Sequence, residues 1–425
     1  MKRTIEEDLL ILPAPRTNNT CELGAWNNIN TEVLPMHEKY EEWKNECGFC
    51  VGNTLEDGEM RLISAFVYKD HIAVVTSLLR KDRTKEKMYC HYYDCNRELI
   101  GTFESILFPV ATVRCVRRVG AEYISLTVEK DEKPVEPIPI VDRVGKPKYE
   151  IGVCGGQIYG PISKQLNLVE FIEHHRLIGA SFFYLTIFNS DEETTRVIHD
   201  YERLGLLDPT WVNLEIKHVD WKFQMIQATD CYYRSRMHSK WTINIDHDER
   251  LVMKNPSSLS SLLAKLPDNI VGLSFSISRI PVAQDNLPKD ATYFETYTNM
   301  GRPTWLNLKT IHQHAHSHFP FYHWFWRIDT GYRIFNFNTT VGYFRHYRYI
   351  SDKYLSGNWY DGFGPYMENK IGSEFSGTLR SRIVDRMNYL FDQRYIRCET
   401  VDPEFFLEFA KRDKCVFDNG TTINI

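Results

Sequence analysis

"SKWTINIDHDERLVM", Ser239–Met253, is the stretch whose reading decides the fold. An apolar run rich in β-branched residues climbs to Ile245 and then meets Asp246, His247, Asp248 and Glu249. As a buried strand it would end on a group of carboxylates that repel one another unless something positive sits among them. Two aspartates separated by one residue can both reach a hard divalent cation, which takes oxygen ligands and keeps positions open for substrate phosphates. The plainer alternative is a solvated acidic turn, which the tripeptide by itself does not exclude.

Working outward, the pattern alternates between strand and helix. Upstream, "FQMIQATDCYYRSRMHSK" reads as a helix and "WVNLEIK" as a strand. Before them, Ser190 precedes Asp191, Glu192 and Glu193, a helix-start pattern with acid in the first turn, for a helix running to about Leu204. "SFFYLTIF" is a continuous buried-strand run. "LNLVEFIEHHRLIG" carries Leu166, Val169 and Ile172 at helical spacing, with Gly179 as its stop. "YEIGVCGG" opens the series as a short strand closed by Gly155 and Gly156. The order β-α-β-α-β-α-β predicts an α/β fold with a doubly wound, mostly parallel sheet. In such sheets ligands bind outside the carboxyl ends of the strands, where Asp246–Glu249 falls.

The first third reads differently. "RLISAFVYKDHIAVVTSLL" is two apolar runs around Lys69-Asp70, a hairpin. "MYCHYYD", "LIGTFESILFPV", "TVRCVRRV" and "YISLTVEK" follow at strand length. "DEKPVEPIPIVDRVGKPK", with Pro134, Pro137, Pro139 and Pro147, suits an extended connector better than a central strand. The expected organisation is a mainly β N-terminal domain with its connector over 1–147 and one α/β domain over 148–425.

The chain has 425 residues, 43% hydrophobic and 25% charged, with a net charge of −5. Those values fit a globular protein, and neither the charge nor any Lys/Arg-rich run predicts nucleic-acid binding. No segment reaches the roughly 20 apolar residues that span a bilayer. The run "LLILP" near the start is shorter than the 7–15 residues, roughly, of a signal-peptide core, so an export signal is not expected from it. Ten cysteines and Asn-x-Thr acceptors at Asn18, Asn338 and Asn419 point instead to disulfides in an oxidising compartment. Cys47-Gly-Phe-Cys50 has no second pair to make a zinc site.

The stretch "QMIQATDCYYRSRMHSKWTINIDHDERLV" resembles the signature of glycosyltransferase family 92, in which a helix with an Asp-Cys-x-Tyr-Arg core leads through Ser-Lys-Trp into an Asp-x-Asp-Glu strand end. "IGVCGGQIYGP", "LVEFIEHHRLIGASFFYLT" and "FRHYR" fit the same family, so that the resemblance runs from Tyr149 to Tyr349. It implies a GT-A-like fold, a nucleotide-sugar donor, Mn²⁺ or Mg²⁺, inversion at the anomeric carbon and residence in the secretory pathway, where Golgi enzymes of the family are usually membrane-anchored. One activity associated with the family is β-galactosyl transfer from UDP-galactose to fucose on N-glycan cores. The expected function is therefore a metal-dependent inverting transfer of a hexose, galactose first, from a UDP-sugar to a glycan or glycoprotein acceptor. The alternative is a catalytically inactive member that binds glycans or scaffolds partners.

Carried onto this sequence, the resemblance makes Asp246 and Asp248 ligands of metal and diphosphate, with Glu249 orienting the loop or a metal-bound water. His346 is a third metal ligand or a histidine satisfied beside Arg345 and Arg348. Arg234, Arg236 and Lys240 would reach the diphosphate or remain solvated helix charges. Inversion needs a base for the acceptor hydroxyl, and Glu295 and Asp285, with Asp290, are the candidates. His247 and Arg250 depart from the family pattern, which usually has an apolar residue and an aromatic there. "IHQHAHSHFPFYHW" spaces His312, His314, His316 and His318 by two, which would put them on one face of a strand, yet no Cys or carboxylate joins them as a ligand. Its aromatics, Trp324 foremost, would stack on acceptor sugars or be core.

Overall fold

The computed structural model describes residues 21–27, 60–77, 87–108, 111–160, 162–212, 221–254, 258–283, 287, 291–349 and 363–392, together with short strand pieces at Ile11–Pro13, Thr31–Val33, Ile396–Arg397 and Cys415–Val416. The chain forms two compact units: one of Met1–Lys148, Ile216–His238 and Ser317–Arg327, the other of Tyr149–Glu215, Ser239–His316 and Ile328–Ile425.

The first unit is built on a sheet of β1 (Leu62–Val67), β2 (Ile72–Thr76), β3 (Lys87–Tyr93), β4 (Leu99–Ile106), β5 (Thr112–Cys115), β6 (Tyr123–Thr127) and β7 (Ile138–Asp142). Their order is β4-β3-β6-β7-β1-β2-β5. The proline-rich segment is thus not a connector: β7 lies inside the sheet, pairing with β6 at Tyr123↔Pro139 and with β1 from Ala65↔Ile140. Pro139 has no N–H to give a ladder, and it sits where the strand passes from one partner to the other. Ala65, Val67, Ile72 and Val74 face one core. Phe66, Ala73 and Val75 on the opposite face meet Tyr232 and Tyr233 of α3 (Trp221–Ser235) and Phe325. Phe325 belongs to a hairpin of Ser317–Phe321 and Trp324–Ile328. Both faces of β1 and β2 need apolar cover, which is why these two later segments join the first unit. That corrects the expectation of one domain over 148–425.

The second unit holds a nine-stranded sheet. Its first half is β8 (Tyr149–Ile158), α1 (Gln165–Leu177), β9 (Phe182–Ile187), α2 (Glu192–Arg203), β10 (Leu207–Trp211) and β11 (Ser239–Ile245). These strands run parallel in the order β10-β9-β8-β11. β9 is buried along its whole length, as its unbroken apolar run requires. Asp191, one residue beyond the expected start, caps α2 by accepting from the Thr194 amide at 3.3 Å. Gly179 ends α1 at φ +114°, a left-handed conformation that glycine adopts without penalty.

An edge strand, which tolerates Pro209, runs over Leu207–Trp211; most of the strand expected at "WVNLEIK", from Asn213 on, lies outside the described residues. Beyond β11 the sheet is mixed: β12 (Glu249–Met253), β13 (Ile270–Val282), β14 (Thr304–His312), β17 (Arg333–Phe337) and β18 (Gly342–Tyr349) follow, the hairpin strands of the first unit counting as β15 and β16. β11 pairs antiparallel with β14, β14 with β13, and β12 with β18, while β13 runs parallel to β17 and β18. The molecule is therefore a mixed α/β protein dominated by sheet, with the parallel pattern confined to half of the large sheet. α4 (Ser373–Asp392) buries Leu379, Ile383 and Met387 in the same core.

Disulfides join Cys21 to Cys95 and Cys90 to Cys115, and Cys154 and Cys231 are also disulfide-bonded. Among the described residues no helix is long and apolar enough to cross a membrane.

Candidate functional site

The acidic stretch begins where β11 ends and closes a tight turn into β12. The Glu249 amide donates to the Asp246 carbonyl at 3.0 Å, and the Asp246 amide donates back to Glu249 Oε2 at 3.0 Å. β8 passes so close that a Cβ at Gly156 would lie 2.9 Å from Asp246 Cα. The glycine pair after "IGVC" thus admits the turn, and any side chain at Gly156 would push it away. Arg250, fully buried, braces the turn from below. It donates to the His247 carbonyl at 2.6 Å and to the Asn167 carbonyl at 2.9 Å, and its Nε lies 3.8 Å from Glu170. The arginine that departs from the family pattern is a structural clamp on the turn.

His346 reaches the turn through strand register, since β12 and β18 pair Glu249 with His346. Its Nε2 is 3.3 Å from Asp248 Oδ2 and its Nδ1 is 3.5 Å from Glu249 Oε1. Among the described residues, Asp248, Glu249 and His346 form the group whose ligand atoms lie within 4.8 Å of one another in the manner of a metal site. Asp248 Oδ1 is buried without a hydrogen-bond partner, an acceptor that a cation would satisfy. Carboxylate oxygens with one imidazole suit Mn²⁺ or Mg²⁺, although imidazole favours the former.

Electrostatics separate the three groups. Burial works to raise the Asp248 carboxyl, yet His346, His247 and Arg348 hold it well below the usual carboxylate range. Burial pushes Glu249 up, against the pull of Lys309 and with the help of Asp246. Burial alone would lower His346, but Asp248 and Glu249 raise it. His247 is brought down to about 4 by burial, which the neighbouring aspartates only partly offset.

Lys309 carries no motif that marks it in the sequence, yet it joins the cluster. It lies on β14, one residue from the Asn244↔Thr310 pairing with β11. Its Nζ is 3.2 Å from Asp246 Oδ2 and 2.7 Å from Glu249 Oε1. Burial disfavours its charge, but Asp246 and Glu249 keep the ammonium protonated. The only signal was a lone lysine inside the strand pattern "TWLNLKTIH", 63 residues beyond Asp246.

A cleft of about 350 Å³ opens beside Asp248 and His247. Tyr159 and Gly160 from the end of β8, Lys164 and Asn167 from the start of α1, and Tyr347 and Arg348 from β18 line it. Tyr293 lines it as well, so the pocket carries two cations and three tyrosine rings and is bordered by an aspartate.

The other expected site residues are held elsewhere. Lys240 begins β11 and faces Glu150 at 3.3 Å, both about half exposed. Six residues of strand, about 20 Å at ~3.3 Å each, separate it from Asp246, so it is at the wrong end to reach a diphosphate there. Arg234 lies in the first unit, paired with Asp230 at 3.3 Å and stacked over Phe66. Arg236 there donates to Tyr232 Oη. Glu295 is exposed, accepts from Thr292 Oγ1 at 2.7 Å and pairs with Arg380. Asp285 and Asp290 lie outside the described residues.

The histidine run does not make one strand face. His312 closes β14, and His314 and His316 occupy the turn that follows. His314 Nε2 is 3.3 Å from Asn244 Nδ2, and His316 pairs with Asp329 at 3.0 Å and stacks on Tyr332. Of the aromatics after them, Phe325 is core against Tyr232, while Trp324 is 36% exposed and meets Phe321 edge-on.

Comparison with known proteins adds three findings. Residues 149–386 match the sequence model of Glycosyltransferase family 92. A galactan beta-1,4-galactosyltransferase of Arabidopsis thaliana is 27% identical over 197 residues, 41% of this chain and 37% of its own length. The match thus spans little more than a third of that relative. Solved structures with a distant likeness include a β-glucuronidase from Ruminococcus gnavus at 12% identity over 43% of this chain and 35% of that one, TM-score 0.17, and a glycosyl hydrolase family 2 member from Bacteroides cellulosilyticus at 14% over 44% and 31%, TM-score 0.18. Scores this low say nothing about the fold. The family match covers more than half of the sequence, including the strand end, the clamp and His346, and on that ground the chain belongs to glycosyltransferase family 92.

Proposed function

We propose that the protein is a metal-dependent, inverting glycosyltransferase that moves a hexose from a UDP-sugar to a glycan acceptor. The observation that carries this reading is the trio Asp248, Glu249 and His346, with Asp248 Oδ1 buried and unpartnered at the rim of a cationic cleft. Asp248, Glu249 through Oε1 and His346 would hold Mn²⁺ or Mg²⁺. Bound there, the cation supplies Lewis-acid stabilisation of the departing diphosphate. Arg348 and Lys164 would bind the phosphate oxygens, and Tyr159 or Tyr347 would cover a ring of the donor. The parallel order β10-β9-β8-β11, with the acidic turn at the carboxyl end of its last strand, supports a GT-A-like arrangement.

Galactose is the favoured sugar, because the Arabidopsis relative is named a galactosyltransferase. Glu295 and Asp285 stay the candidates for the base that deprotonates the acceptor. The exposed Trp324 is the candidate acceptor contact. The disulfides support a secretory-lumen, Golgi-type setting.

The test is thermal. A ligand that binds only the folded state stabilises it by about 2.7 kcal/mol at 100 times its Kd. UDP-galactose with Mn²⁺ should raise the midpoint, and UDP-glucose less so. Wild-type protein unmoved by any UDP-sugar with either metal would instead favour the non-catalytic reading.

A further inference from the structure

Lys309 changes what the acidic turn is. Its side chain is 3% exposed, with Asp246 Oδ2 at 3.2 Å and Glu249 Oε1 at 2.7 Å. A buried ammonium is costly unless it is paired, and nothing in the strand pattern of β14 calls for a lysine there. Asp246 and Glu249 are joined to each other through the Asp246 amide and to Lys309 through their carboxylates. Asp248 is outside this set: it lines the cleft, and its contacts run to His346. The strand end is therefore divided. One aspartate is tied down from within, and the other is turned to the cleft.

Resting on the metal reading above, we infer that Lys309 is a positioning residue, a built-in counter-ion that holds Asp246 and Glu249 in place and limits how much cationic charge the cluster accepts. It keeps the turn assembled before any metal or nucleotide arrives, so the ligands need no reordering on binding. It also offsets one negative charge of the cluster, so that a divalent ion enters a field already partly neutralised. The same interaction weakens metal binding, because Lys309 and the cation compete for Glu249 Oε1. A lysine with a merely structural role has no such antagonism.

The experiment is Lys309→Met, which removes the charge and keeps most of the volume, read by Mn²⁺ titration with electron paramagnetic resonance and by thermal midpoint with and without chelator. The metal-free midpoint should fall, Mn²⁺ should bind at least tenfold more tightly than in wild type, and its stabilising increment should grow. If Lys309→Met does not fold without metal, Asp246→Asn/Lys309→Met removes the stranded carboxylate. Its Mn²⁺ affinity, compared with that of Asp246→Asn, then gives the same reading through the remaining Glu249 contact. Unchanged or weaker binding in the lysine-deleted protein, while wild type binds Mn²⁺, overturns this inference and leaves the metal reading intact. Wild type that binds no Mn²⁺ overturns both.

Discussion

The second unit contains two clusters of buried charge, and they are built to opposite rules. On the helix face, Glu173 accepts from Arg176 at 2.8 and 3.1 Å and from Tyr201 Oη at 2.7 Å. Asp200 accepts from Arg386 at 2.8 Å and from Arg203, whose other partner is Tyr389 Oη at 2.7 Å. Every carboxylate there is answered by guanidinium groups, some supplied three residues away on the same helix. At the strand end Asp246, Asp248 and Glu249 are paired only with Lys309 and His346 among the salt bridges of the described residues, and Asp248 Oδ1 is buried with no partner. A network whose carboxylates are all matched stabilises the fold, and one that leaves a carboxylate oxygen without a donor is held open for something else. Burial and charge are alike in the two places; satisfaction of the carboxylates distinguishes them.

The sharpest way to break this contrast is to neutralise one carboxylate in each cluster. Asp248→Asn should lower transfer on the order of 10³-fold, since a bound cation contributes several kcal/mol of charge stabilisation. Its metal-free midpoint should fall only slightly, because the ionised carboxylate it replaces is favoured by His346 and Arg348 but leaves one oxygen without a donor. Asp200→Asn should do the reverse: a loss of about 3–5 kcal/mol of stability from leaving Arg203 buried and half-paired, with kcat unchanged at a temperature where the protein is folded. Urea unfolding beside initial rates separates the two, and an equal stability loss in Asp248→Asn with normal turnover would erase the distinction.

Acid offers a second, smaller test. His174 donates from Nε2 to the Leu251 carbonyl at 2.7 Å, and the Leu251 amide donates to His175 Nε2 at 3.4 Å, so His175 must be neutral to hold β12, while His174 is kept neutral by its burial. Burial is the first cause in each case, lowering His174 to about 3 and His175 well below the usual value. A histidine depressed in the folded state takes up its proton more readily unfolded. Its contribution is therefore complete above the unfolded value near 6.5 and is lost as pH falls toward about 3. At pH 5 the His174 share of that loss is about 2 kcal/mol. Urea midpoints across pH 7 to 5 should fall, and less steeply in His174→Gln.

Much of this was legible in the sequence, for identifiable reasons. Parallel strands buried on both faces read as unbroken apolar runs, so β8, β9 and β11 were plain, and the acidic turn followed from where β11 stops. His346 came from a motif, and the register of two antiparallel strands delivers it. What failed was non-local. Lys309 is 63 residues from Asp246, and a single charge inside a strand has no periodic signature. The two prolines that argued against strands, Pro139 and Pro209, sit at a change of ladder partner and at a sheet edge, where the missing N–H is not needed. α3 carries much of the family signature yet packs on β1 and β2 of the first unit, because their second apolar face has no other cover.

The smallest expected effect belongs to one of the three cations that the sequence offered to the diphosphate. Lys240 stands at the opposite end of β11 from Asp246, and its pair with Glu150 at 3.3 Å is about half exposed on both sides. Such a pair is screened by water and salt and holds two long side chains at an entropic cost, so Lys240→Ala should move stability by no more than about 0.5 kcal/mol. Donor KM should not change, because a strand end some 20 Å away, at ~3.3 Å per residue, cannot touch a diphosphate at the acidic turn. Arg348→Ala, at the lip of the cleft, should raise donor KM by about tenfold, the equivalent of one charged hydrogen bond of roughly 1.5 kcal/mol. Steady-state kinetics on the two variants side by side decide the matter. A rise in donor KM for Lys240→Ala equal to that for Arg348→Ala would move the donor away from the cleft and undo the assignment of the unsaturated cluster as the working one.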